Sequence, residues 1–292
     1  MAQQSSKQRA EAEVLDLKGK LRQLNKTLAG KGATIAENAP LVDTIKAVER
    51  MKAQAVTMTI FKAQQFLGFV DEILPPMRIA EKYKAGNLSY CFAQCSALKS
   101  IPNVENIDIA ANLSSFATSC PSLTDASIGA LPNVTDISSA FSSCPYLINV
   151  SIGAAPKVTN AGFLFSGCNR LKDVSIDLSG GLLGNFSYAF LNCTSLRRVT
   201  GIIDMSRATS VSGAFQGCSS LEEVYIKGLK VDLDLSACGN LSLESVRYLI
   251  NNAQSVTGNR IDLSRALLDA NEEALGDLGD TASDKGWTIN YR

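Results

Sequence analysis

Thiols are the side chains in this 292-residue chain whose spacing first invites a chemical reading. Six of its eight cysteines, Cys95, Cys120, Cys144, Cys168, Cys193 and Cys218, are separated by 25, 24, 24, 25 and 25 residues. A thiolate can ligate a metal, attack a disulfide or act as a nucleophile. Each role needs a partner close by. Zinc and redox sites commonly use Cys-x-x-Cys, but the series has none, and its nearest pair is Cys91 and Cys95. The chain contains no histidine, which removes Ser-His-Asp and Cys-His systems, histidine bases and every His-containing zinc site. The carboxylate pairs Glu222-Glu223 and Glu272-Glu273 are adjacent rather than facing, and neighbours along a strand point to opposite sides. Neither a phosphate-binding loop nor a dinucleotide glycine pattern occurs. The sequence therefore predicts no catalytic residue, no metal and no cofactor.

The elements that place the thiols explain them better. Phe92-Ala-Gln-Cys95-Ser-Ala-Leu98 opens a series. Phe141 to Leu147, Phe165 to Leu171, Phe190 to Leu196 and Phe215 to Leu221 repeat its Phe-x-x-Cys-x-x-Leu spacing. The second copy deviates, with Phe116 four residues before Cys120 and Ala117 in the Phe position. A degenerate seventh copy reads Leu235-Ser-Ala-Cys238-Gly-Asn-Leu241. After the Leu, Val150 and Ile152, Val174 and Ile176, and Val224 and Ile226 alternate with polar residues, the period-two mark of a half-buried strand. A second extended segment precedes each Phe, as in Val134 to Ile137. One coil cannot bury its own apolar side, whereas stacked coils can. Phe, Cys and Leu should then line the interior, and one thiol per coil is a small, soft core residue. Free, buried cysteines and a reducing place of synthesis are expected.

Composition narrows the role further. Apolar residues make up 46% of the chain, enough for a large core. Charged residues make up 19%, below the usual ~25%, so Ser, Thr and Asn must wet the surface. The net charge is zero, which argues against nucleic acid as a partner, since such binders neutralise phosphates. Residues 1–86 hold 14 basic and 9 acidic side chains, while residues 87–238 hold 9 and 11 and residues 239–292 hold 5 and 8. No stretch has the ~18 apolar residues of a membrane span, so no insertion is expected. The start, Met1-Ala-Gln-Gln-Ser-Ser-Lys-Gln-Arg, is polar without an apolar run, which predicts cytosolic synthesis. Within the repeats, Asn-x-Ser/Thr triplets begin at Asn87, Asn112, Asn133, Asn149, Asn185, Asn192 and Asn240. In so Asn-, Ser- and Thr-rich a body they are read as coincidence rather than glycosylation.

The Phe-x-x-Cys-x-x-Leu-x-x-Val-x-Ile unit resembles the BspA-like (Treponema-type) leucine-rich repeat, over roughly residues 87–241. The resemblance implies an α/β repeat fold: a leucine-rich-repeat solenoid of six to seven rungs. It also implies adhesion or partner binding, in bacterial surface, protozoan or phage proteins, without an active site. The stretch from Leu241 to Asn290 resembles the end of many Bacteroidetes and phage proteins of this type. Physically it is an α/β cap. Ser242 should N-cap a helix carrying Val246, Leu249 and Ile250, Arg260 to Leu263 reads as a strand, Asn271 should cap a second helix ended by Gly286, and Trp287 to Ile289 is a last strand. Residues 32–48 resemble short modules near the start of tailed-phage fibre and appendage proteins.

Val14, Leu17, Leu21, Leu24 and Leu28, spaced 3, 4, 3, 4, form a short a/d seam. It fits an oligomerising coil, trimeric as in fibres, or one amphipathic helix packed on its own chain. Pro40 opens a second helix carrying Leu41, Ile45 and Val48, and Val56 to Ile60 reads as a strand. Ile79 to Tyr83 reads as a rung without its Cys. The expected division is a helical attachment arm (1–52), a connector and N-terminal cap (53–86), the solenoid (87–241) and the C-terminal cap (242–292). The expected carrier is a phage virion, with the chain as a tail or head fibre or appendage whose arm is held by other virion proteins; a bacterial cell surface, with the chain as an adhesin, is the alternative. In either, the outward residues of the main strand ladder, Asn149, Ser151, Asp173, Ser175, Arg198, Thr200, Glu223 and Tyr225, are the expected contacts for a host protein or glycan.

Overall fold

A computed structural model of the chain describes residues 20–27, 57–58, 77–79, 86–101, 104–105 and 110–292. The chain divides into two compact units, Met1–Val56 and Thr57–Arg292. In the first, residues 20–27 are helical, with Leu21 half-buried, Leu24 exposed and Asn25 buried. The remaining seam positions, Val14, Leu17 and Leu28, and the expected helix at Leu41, Ile45 and Val48, lie outside the described residues.

The second unit is a stack of coils. Strands β3 (Ser100–Ile101), β5 (Asp125–Ile128), β6 (Asn149–Ile152), β7 (Asp173–Ile176), β8 (Arg198–Asp204) and β9 (Glu223–Lys227) form one six-stranded sheet in sequence order. Every pairing in it is parallel. A second line of parallel bridges runs Asn87, Asn112, Asp136, Asn160, Asn185 and Ser210. Both ladders advance by the sequence repeat, so each coil presents two walls. A three-stranded parallel sheet, β1 (Thr57–Met58), β2 (Met77–Ile79) and β4 (Val104–Glu105), forms from the residues before and within the first coil. The expected rung at Ile79 to Tyr83 begins at the end of β2, and residues 80–83 lie outside the described residues.

The interior holds the repeat residues. Phe92, Phe141, Phe165, Phe190 and Phe215 are buried, as are all eight cysteines. Phe165 and Phe190 stack at 5.3 Å between centroids, and Phe190 and Phe215 at 5.6 Å. The thiols are also hydrogen-bonded: Cys120 donates to the Phe92 carbonyl of the preceding coil (3.0 Å), Cys168 to that of Phe141 (3.0 Å) and Cys218 to that of Phe190 (3.1 Å). Cys144 donates instead to Ala117 (3.1 Å). Ala117 therefore holds the Phe position of the deviant copy, while Phe116 reaches the core from one residue earlier and packs edge-on against Phe92 at 5.2 Å. Burial pushes the Cys218 thiol up to about 12 and raises that of Cys193 well above its ordinary value. Since thiolate is the reactive form, a three-unit rise cuts it about a thousandfold at neutral pH. A disulfide-exchange reagent such as DTNB should therefore label none of the eight thiols in the native protein within minutes, and all eight after denaturation. Rapid native labelling of a repeat cysteine would contradict the stacked interior.

The far end is closed by the cap. A helix spans Leu243–Asn252, with Ser242 accepting from the Ser245 N–H (3.2 Å) as expected for the N-cap. The Ser245 hydroxyl in turn accepts the Val224 N–H of the edge strand β9 (3.1 Å). Strands β10 (Leu233–Leu235), β11 (Asn259–Leu263) and β12 (Trp287–Tyr291) make a separate parallel sheet. Exposed sheet edges and open apolar coils invite aggregation, and the cap covers both. The second helix, Arg265–Asp284, starts six residues before the expected cap at Asn271. Ser264 precedes it, and the buried Leu267 holds its first turn on the core. Asn271 (φ −145°, ψ 34°) is instead a break within it. Gly286 adopts φ +81° at the turn into β12.

Candidate functional site

Alternation along the strands decides what faces outward. In β6 and β7, Val150, Ile152, Val174 and Ile176 are buried, while Asn149, Ser151 and Ser175 are exposed and Asp173 is half-buried. Parallel pairing aligns these into rows. One row runs Asp125, Asn149, Asp173, Arg198, Glu223, and the next runs Ser127, Ser151, Ser175, Thr200. A strand-to-strand spacing of ~4.8 Å makes the second a regular line of hydroxyls.

Over these rows lies an open depression of about 440 Å³, lined by both. Five of the eight residues singled out from sequence line it: Asn149, Ser151, Asp173, Ser175 and Thr200. Asp125 and Ser127 line it too and were missed. Their strand carries Ala126 where later copies carry Val, so the Val-x-Ile signal is weak there, although the 24-residue spacing to Asn149 and Ser151 places them.

The remaining three residues sit toward the cap and are engaged internally. Arg198 Nε donates to Asp173 (2.7 Å), and beside it Arg197 makes a two-pronged bond to Glu222 (3.0 and 3.0 Å). Interaction with Glu223 raises the Tyr225 phenol pKa. The Tyr225 ring also meets Tyr248 of the first cap helix edge-on at 5.2 Å. Tyr225 is out of line with Thr200 as well: β8 bulges at Thr200-Gly201, and Tyr225 pairs with Ile202. Tyr225 therefore does not continue the row of Ser127, Ser151, Ser175 and Thr200. Arg198 and Glu223 mark the border of the depression rather than its floor.

Opposite charges pair at the border of the depression, Asp173 with Arg198 and Glu222 with Arg197, and its floor sets hydroxyls, amides and carboxylates beside Ala126, Val150 and Val174. Among the described residues no group of three or more Cys, Asp or Glu side chains could hold a metal ion. No helix among them is long and apolar enough to cross a membrane.

Stacked coils with a parallel strand ladder on one wall, Leu and Phe inside and a capped end define a leucine-rich repeat protein, a scaffold for binding. The chain belongs to the BspA-type leucine-rich repeat family, whose profile matches residues 86–177 and 138–258 in six copies, together more than half of the chain. A leucine-rich repeat protein from Bacteroides ovatus ATCC 8483 is among the solved structures it resembles, at 15% identity and a TM-score of 0.21, covering 74% of this chain and 83% of that one. No curated protein matches the sequence.

Proposed function

We propose that this chain is a non-enzymatic attachment protein whose strand ladder recognises a protein or glycan on another surface. The observation that carries this reading is the open depression over β3 to β8, where Asp125, Ser127, Asn149, Ser151, Asp173, Ser175 and Thr200 stand beside the buried Ala126, Val150 and Val174. Exposed polar positions aligned across several coils form an extended recognition surface, as stacked repeats do. The family favours a bacterial surface as the carrier. A phage particle is the second reading, favoured by the Val14 to Leu28 seam and by residues 32–48, and the arm would then dock to other virion proteins, in a homo-oligomer such as a trimer. Immunogold labelling of a producing culture separates the two, marking cell envelopes in the first case and released particles in the second.

Ser151→Arg together with Ser175→Arg would put two long cations into the depression without touching the core. Labelled protein should bind intact target cells saturably, and the double variant should bind at least tenfold more weakly at unchanged thermal stability. Equal binding by the variant would rule out this face. Tyr225→Ala should have the smaller effect on binding, because that ring packs on the cap.

A further inference from the structure

On the other ladder the chain makes a choice the fold does not ask for. One corner of each coil places a residue at positive φ: Tyr90, Ser115, Ser139, Phe163, Tyr188 and Gly213, with φ between 54° and 61°. Glycine suits this conformation and bulky residues are rare in it. Ser and Gly fill it in three coils, so an aromatic ring is not a requirement of the turn. Phe163 and Tyr188 are also not core residues; Phe163 is 43% exposed. Their rings stack on each other at 5.0 Å between centroids, 25° from parallel.

The stack ends beside a polar depression. A Cβ on Gly213 would come within 2.6 Å of two Tyr188 ring carbons and 3.2 Å of the Gln216 amide oxygen. The ring and the amide thus flank this glycine, which lines a cavity of about 430 Å³ between the last coils and the cap. Small-molecule sites commonly measure about 300–1,000 Å³. Across the cavity, the buried Asp262 carboxylate holds Arg292 (3.2 Å) and Arg260 (3.4 Å) and accepts from the Asn290 amide (2.9 Å). A guanidinium carries five N–H donors, more than one carboxylate can use. Asp232 and Asp234 add exposed acceptors to the same wall.

We propose that this cavity binds a neutral saccharide, with one sugar ring meeting the Tyr188 ring where it passes Gly213, backed by Phe163, and its hydroxyls on the arginine, aspartate and Gln216 groups. A sugar hydroxyl both donates and accepts, so it uses guanidinium and carboxylate groups together. The flat C–H side of a sugar is drawn to the negative face of an aromatic ring. Three aspartates against two arginines leave the lining slightly negative, which disfavours sialylated or sulfated glycans. The site is separate from the strand-ladder depression and does not depend on it.

The test uses the labelled full chain on an array of neutral hexose and N-acetylhexosamine oligosaccharides, with sialylated and sulfated glycans and peptides as further arms. Binding to neutral glycans is expected, weakened at least tenfold by Tyr188→Ser and unaffected by Ser151→Arg with Ser175→Arg. Serine occupies the same corner at Ser115 and Ser139, so the fold should accept it. Gln216→Ala, at an exposed side chain, should weaken binding severalfold and serves if Tyr188→Ser fails to fold. Failure to bind any neutral glycan, binding confined to the anionic or peptide arms, or neutral binding that survives Tyr188→Ser in a folded protein would each overturn the proposal.

Discussion

Phe190→Ala should destabilise the solenoid by about 3–5 kcal/mol, the range for emptying a buried aromatic site. The ring is 1% exposed and lies between Phe165 at 5.3 Å and Phe215 at 5.6 Å, with Phe186 edge-on at 5.9 Å. Its neighbours are themselves clamped by coils above and below, so the cavity has little freedom to collapse. Chemical denaturation followed by near-ultraviolet circular dichroism reads the loss. Because coils contact mainly their neighbours, the defect should also loosen the coils next to it. Cys193 and Cys218, whose thiols bond the Phe165 and Phe190 carbonyls, should become reactive before Cys120 and Cys144. A loss under 1 kcal/mol would mean that Phe190 is not in the interior column and that the rung register is wrong.

That column was legible because a solenoid repeats its constraints. The 24–25-residue spacing of the cysteines set the register for every other residue of the coil. Even the deviant second copy could be resolved, since Ala117 keeps the Phe position and Phe116 supplies the bulk. Lone local signals were less complete. Ser242 announced its helix, but the bond that closes the β9 edge comes from Ser245, and only the packed cap brings that hydroxyl to the Val224 N–H. The second cap helix begins earlier than Asn271 because Leu267 is buried, a tertiary demand that capping preference does not contain.

The candidate site shows the same split. Alternation put Asn149, Ser151, Asp173 and Ser175 outside, and the 25-residue step from Asp173 to Arg198 matches the ion pair they make. What alternation could not supply is the withdrawal of Tyr225. That depends on Tyr248, which arrives from the cap. The aromatic corner at Phe163 and Tyr188 stayed hidden for another reason: sequence alone gives no φ, so two aromatics in a Ser and Gly position look like ordinary core.

The bulge in β8 supplies the second large effect. Where other coils place Ile two residues after the strand Val, this one places Gly201 after Val199. Gly201 adopts φ +98°, and a Cβ there would lie 2.1 Å from the Ile176 carbonyl oxygen. That oxygen belongs to the backbone of the adjacent strand and has no rotamer by which to escape. Gly201→Val therefore meets two penalties at once: a conformation β-branched residues avoid, worth roughly 1–3 kcal/mol, and a contact that only strand separation relieves. The total should reach about 3–4 kcal/mol, or roughly a 10 °C fall in melting temperature for a body of this size. Gly201→Ala should show most of this effect, because the clash begins at Cβ. Hydrogen exchange should locate the damage at β7 and β8, with β5 and the cap helices protected as before. If Gly201→Val instead melts within 2 °C of the parent, the bulge does not take this conformation. The alignment of Ile203 with Ile226 that it permits would then need another cause.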